Sequence, residues 1–196
     1  MTGTITNAGQ GWLAAGSNFT MPFTAVTGRT LVVVCNHESS LNGITGITDS
    51  GLNAWLQDYT DTAPAGEGRR VFRCKTIGTV PTWLNVASST AGTIMYWVFE
   101  GTDLHASPFE SATPVTGGTA TTSHSAAFTA VDSNCIALVS VIASVDAGTI
   151  TPTNGFTEVA TSRNGRSGFY KADLGASGSK TLTYTTSALL TQNHLI

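Results

Sequence analysis

Cys35 and His37 are the first residues whose types and spacing could do chemistry. They stand two apart in the run LVVVCNH, so an extended strand places both on one face. A thiol beside an imidazole is the beginning of a nucleophilic site. No third orienting group and no oxyanion motif accompanies them. Cys35, Cys74 and Cys135 each sit in an apolar run and read as small core hydrophobes. An odd number of cysteines without a CxxC pair suggests neither a disulfide framework nor a zinc knuckle. Glu100 and Glu110 are the carboxylates that could be paired for glycosidase chemistry, which needs two carboxyls on facing elements at a set separation. Yet Glu100-Gly101-Thr102-Asp103 reads as a strand end entering a turn. His37, His105, His124 and His194 show no metal-ligand spacing, and a lone histidine on a strand or loop reads as solvated.

Other candidates reduce to turns or packing. Gly66-Glu67-Gly68 and Thr116-Gly117-Gly118 lack the following Lys-Ser/Thr and helix of a phosphate loop. Asp49-Ser50-Gly51 and Asn154-Gly155 are hairpin-turn chemistry, with too few oxygens nearby for calcium. Trp55, Trp83 and Trp97 fall in alternating strands, where core packing is the favoured reading. Trp55 with Tyr59 and Asp61 is the local candidate for a sugar-stacking groove. Trp12 lies in the Gly-rich stretch GQGWLAAGS. It is either a contact for a partner subunit, together with Thr4 and Leu13, or a cap folded back on the domain.

The elements that must position these residues are strands. Only 11% of the 196 residues are charged, against about 25% on average. Threonine contributes 33 residues, serine 18 and glycine 21, a composition that favours extended backbone over helix. With a net charge of −3, no electrostatic footprint for nucleic acid exists. No apolar run is long enough for a membrane helix. The start, MTGTITNAGQGW, has neither the basic nor the apolar region of a signal peptide, so synthesis in the cytoplasm is expected.

Periodicity of two predicts strands over 30–35, 69–76, 82–87 and 93–100, with 103–118 irregular. Residues 134–143, 150–156, 165–171 and 179–184 repeat that rhythm. The expected fold is therefore all-β: an antiparallel, jelly-roll-like β-sandwich built from two similar four-strand halves, about 29–100 and 134–196. Residues 1–18 are set apart as an N-terminal arm, and 19–196 form one domain. Asn193–Ile196 matches only the start of a last strand.

Three phrases carry a resemblance: Gly46–Trp55 (GITDSGLNAW), Phe99–Glu110 (FEGTDLHASPFE) and Gly155–Glu158 (GFTE). They resemble hallmarks of the β-sandwich domains frequent in tailed-bacteriophage virion proteins and bacterial surface proteins. Phe99-Glu100-Gly101 replaces the family's Tyr-Ser-Gly, and Glu110 stands where its final Asp would. The resemblance brings no catalytic residue and no cofactor. It implies a capsid decoration (cement) protein on the outer head, with the major capsid protein and further copies of itself, as dimer or trimer, as partners. The alternative it leaves is a receptor- or glycan-binding module of a tail or fibre. An enzyme is not expected.

Overall fold

The computed structural model describes residues 4–37, 43–62, 68–102, 114–133, 135–142, 149–159 and 166–195. Glu110, His105 and the 63–67 loop, named above, lie outside them. The described residues are all-β and antiparallel, without a helix. The chain divides into two compact units, 5–109 and 110–196, the latter joined by 1–4. A single domain over 19–196 was expected, but each unit has a hydrophobic core of its own.

The first unit contains β1 (Thr4–Ala14), β2 (Asn18–Thr20), β3 (Thr30–His37), β4 (Ile44–Asp49), β5 (Leu56–Thr62), β6 (Gly68–Cys74), β7 (Trp83–Ser88) and β8 (Thr93–Thr102). One sheet has the order β1-β8-β3-β6-β5 and the other β2-β7-β4. Their inner faces interdigitate. Leu31, Val33 and Cys35 of β3, Phe72 of β6 and Ile94, Tyr96 and Val98 of β8 meet Phe19, Ile47, Leu84 and Val86 from the other sheet. Such burial is worth about 1.5–3 kcal/mol for each large apolar side chain. The run LVVV is apolar at every position because β3 is buried on both faces.

The second unit contains β9 (Pro114–Ala130), β10 (Ala137–Ile142), β11 (Ile150–Pro152), β12 (Thr157–Glu158), β13 (Arg166–Lys171) and β14 (Gly178–Leu195). Its pairing repeats the first. β12 pairs β13 and β13 pairs β10, as β5 pairs β6 and β6 pairs β3. The end of β14 pairs β10, as β8 pairs β3. The start of β14 pairs β11 and the end of β9, as β7 pairs β4 and β2. Register shifts between Thr185 and Gln192 mark where one long strand does the work of both β7 and β8. In each unit a central-strand valine faces a core phenylalanine, Val33 with Phe72 and Val139 with Phe169.

Two expectations are corrected. The arm over 1–18 is a strand for most of its length, since β1 is an edge of the five-stranded sheet. Its glycines hid the pattern. Gly11 is required there because a Cβ would run into the Tyr96 hydroxyl, whose ring stacks on Phe19. The region after 113 is not irregular, because β9 begins at Pro114. The small residues of TATTSHSAAFTA alternate, with His124, Ala126, Phe128 and Ala130 inward, without giving a strong apolar signal. Gly11→Ala is expected to lower the midpoint of chemical denaturation by the equivalent of about 1–3 kcal/mol through overpacking against Tyr96. An unchanged midpoint would show that the contact is not tight.

Candidate functional site

Each side chain that could do chemistry has a definite place. Cys35 is fully buried in the first core, and burial pushes its thiol far above the ordinary value, so no thiolate forms there. His37 is equally buried, with Nε2 3.3 Å from the Thr90 carbonyl. Burial, and next the Asp49 charge, push Cys74 up to about 11. Cys135 is half-buried and its Sγ donates to the Asp132 carbonyl (2.9 Å).

Glu100 ends the inner face of β8 with no exposure. Its carboxylate is fully engaged. Asn7 Nδ2 (2.6 Å) and Thr6 Oγ1 (3.0 Å) donate from β1, the Val26 amide (2.6 Å) from the following loop, and Arg29 Nη1 pairs with it at 2.9 Å. Burial pulls the pKa up, but the bonds from Asn7, Val26, Arg29 and Thr6 outweigh it, leaving the group below the ordinary carboxylate value. A proton acid or base in a glycosidase must instead be open to substrate. On the edge strand itself, Trp97 Nε1 donates to Gln10 Oε1 (3.0 Å), and Leu13 packs against the first core. Of the three interface candidates, Leu13 is thus core-facing, while Thr4 is exposed and Trp12 is 41% exposed.

Asp49 is the centre of the turn in GITDSGLNAW. Its oxygens accept from the amides of Gly51 (2.7 Å) and Asn53 (3.2 Å), from Asn53 Nδ2 (3.1 Å) and from Trp55 Nε1 (2.7 Å). Asn53 in turn accepts from the amides of Gly78 (2.8 Å) and Thr79 (3.1 Å). A carboxylate surrounded by N–H donors is a turn lock, not a cation ligand. Among the described residues no three His, Cys, Asp or Glu side chains cluster as a metal site. The lock also engages Trp55, one of the three residues named as candidates for a sugar-stacking groove. Trp55 spends its indole N–H on Asp49 and packs against the core, and Tyr59 is half-buried opposite Val71. Asp61 lies on β5 opposite Arg69, its side chain outside the description. Asp58 forms a two-pronged, largely buried ion pair with Arg73 (2.8 and 2.9 Å).

Two residues stand elsewhere than the sequence placed them. His124, expected in solvent, is 3% exposed and stacks on Tyr184, with ring centroids 4.6 Å apart. Thr186 Oγ1 donates to the Ala188 carbonyl (2.7 Å), so it receives the Nε2 proton of His124 (3.4 Å). Nδ1 is then a buried lone pair without a partner. Trp83, expected in the core, is on the outward face of the sheet β2-β7-β4. Leu84 and Val86 take the inward positions of the same strand. The run Trp-Leu-Asn-Val alternates, but with an apolar residue on each phase the sequence does not say which side is inside.

No family model matches the chain, and no curated protein or solved structure matches it either. The structure by itself defines two antiparallel units, the first a sandwich of two sheets and the second one continuous six-stranded sheet with a related order of strand pairing.

Two outcomes follow from the titrating groups. Glu100 has a folded pKa below its unfolded value, so its contribution is complete above about pH 4.5 and is lost as pH falls through the depressed value. Glu100→Ala is expected to cost about 3–5 kcal/mol at neutral pH by leaving buried donors unpaired, read as a shift in denaturant midpoint. Glu100→Gln should flatten the acid limb. His124 has its pKa lowered by burial, against a smaller upward pull from the Thr121 backbone. Its neutral form is the folded form, so stability is complete above about pH 6.5 and declines below it. Thermal midpoints followed from pH 7.5 to 5.5 (a span of about two units around the imidazole range) should fall in the wild type and fall less in His124→Gln. Parallel curves would refute the assignment.

Proposed function

We propose that the chain is a structural virion protein of a tailed phage, a decoration (cement) protein that binds the outer head and acts by surface burial. The virion context rests on the resemblance of the three sequence phrases. The observation that carries the mechanical role is the commitment of the reactive side chains. Glu100, Asp49, Asp58 and Cys35 are bound or buried within sandwiches, as structural groups are. What faces outward among the described residues is largely threonine and serine, with scattered apolar residues, among them Leu52 (91% exposed), Val131 (58%), Leu56 (53%) and Trp12 (41%). Such a surface is nearly independent of salt, because few charges are there to be screened. Its contacts to a capsid subunit rest on shape and apolar burial.

Trp12, with Thr4 eight residues before it on the same strand, is the anchor this reading favours. β1 supplies Asn7 and Thr6 to Glu100, so the test is a point substitution that keeps the strand. Trp12→Ala leaves those bonds in place. The protein should be found by mass spectrometry in purified particles from the source of this gene, with cryo-EM density on the outer head. Trp12→Ala should weaken its retention there by about tenfold or more. Density confined to the tail tip, or absence from the particle, would overturn the reading.

A further inference from the structure

The outward face of the sheet β2-β7-β4 is a binding surface, and we propose that it takes a neutral carbohydrate. The register puts Asn18, Asn85 and Thr48 in one cross-strand row, Thr20 and Trp83 in the next, and Ala87 with Gly46 on the far side of Asn85. Asn18, Thr20 and Thr48 are exposed; Trp83, Asn85, Ala87 and Gly46 are half-buried. No ionisable side chain lies among them. Asp49, the one carboxylate of these strands, points inward.

Two features make this more than an ordinary solvated sheet. Asn85 Nδ2 donates to the Gly16 carbonyl (2.9 Å) and to Asn18 Oδ1 (2.7 Å). Both protons of one amide and one acceptor of the other are thereby fixed. Asn85 Oδ1 and Asn18 Nδ2 remain as an adjacent acceptor and donor held in place. The indole N–H of Trp83 is likewise uncommitted, whereas those of Trp55 and Trp97 are spent on Asp49 and Gln10.

The second unit shows that the fold does not ask for these residues. There the corresponding strands β9, β14 and β11 belong to one continuous sheet, with Tyr184 and Thr186 buried where Leu84 and Val86 stand in the first. The outward positions beside them are Thr183 and Thr185, in place of Trp83 and Asn85. A threonine pair is sufficient for the ladder. The aromatic plane and the amide pair are therefore additions to it.

The ligand class follows from the chemistry. Nucleic acid and anionic lipid require Lys or Arg, and this face has neither. A neutral sugar ring has an apolar C–H face and a rim of hydroxyls. The first matches an indole plane, and the second matches amide and hydroxyl groups that both donate and accept. The inference is independent of where the protein sits on a particle.

The test uses the whole chain on an array of short neutral oligosaccharides of glucose, galactose, mannose and N-acetylglucosamine, with sialylated and sulfated glycans as charged comparators. At least one neutral glycan should be retained and should shift the tryptophan fluorescence. Trp83→Ala should weaken retention by about tenfold or more, and Trp83→Phe should largely keep it. Thr48→Arg, at an exposed position that makes no bond, should block the face without disturbing the sheet. Val131→Ala, at an exposed position of the second unit, should bind as the wild type does. Retention of no neutral glycan, equal retention of the charged ones, or full binding by a folded Thr48→Arg variant would overturn the proposal.

Discussion

Glu100 lies at the end of β8 without solvent contact, where a bare carboxylate would cost several kcal/mol to bury. It is stable there only because β1, the loop after β2 and Arg29 all bring donors to it. The dependence runs in both directions. The edge strand is held by the carboxylate, through Asn7 and Thr6, as much as the carboxylate is satisfied by the strand. Removing either partner leaves the other buried and unpaired, so the end of the first sandwich is fixed as one cooperative cluster. With only 11% charged residues in the chain, such ionic clusters are few, and each has a large local effect. The Asp58–Arg73 pair does the same for the opposite edge, at the bulged β5.

The second unit uses the same pairing with different chemistry. Where the first ends in a bound carboxylate, the second buries an imidazole against Tyr184 with one nitrogen unpartnered. The first is most sensitive to strong acid, the second to the mildly acidic range, because a carboxylate held charged and a histidine held neutral titrate in different windows. Equivalent backbone therefore does not mean equivalent stability. The same divergence appears on the outward faces, where Trp83 and Asn85 of one unit stand against Thr183 and Thr185 of the other. Core positions stayed apolar because the sandwich requires it, and the outside was left free to differ.

The motifs that suggested chemistry turned out to organise turns. GITDSGLNAW is recognisable in sequence because a buried Asp49, Asn53 four residues later and the Trp55 indole N–H together close one network. Leu52 shows the tension in it: it is held at φ 54° and stands 91% exposed because the lock on either side leaves it no other conformation. That is a demand of backbone geometry, and it explains why the phrase speaks for fold and not for activity.

How much of this was legible in the chain depends on what period two can encode. It determines that β3, β6, β7 and β8 are strands, that the fold is all-β, and that 134–196 repeats the rhythm of 29–100. Those are local properties of alternation, β-branching and turn residues. It does not determine which phase faces inward when both carry an apolar residue, which is why Trp83 was expected in the core and lies outside. Nor does it reveal a strand built of Gly, Ala, Ser and Thr. β1 and most of β9 are strands because a neighbouring ladder and a buried partner, Glu100 or Tyr184, hold them there. The sequence by itself determined the alternation and with it the all-β class. The tertiary structure alone decided inside from outside, and edge strand from arm, because burial is a property of the neighbours across the sheet and not of the residues along the strand.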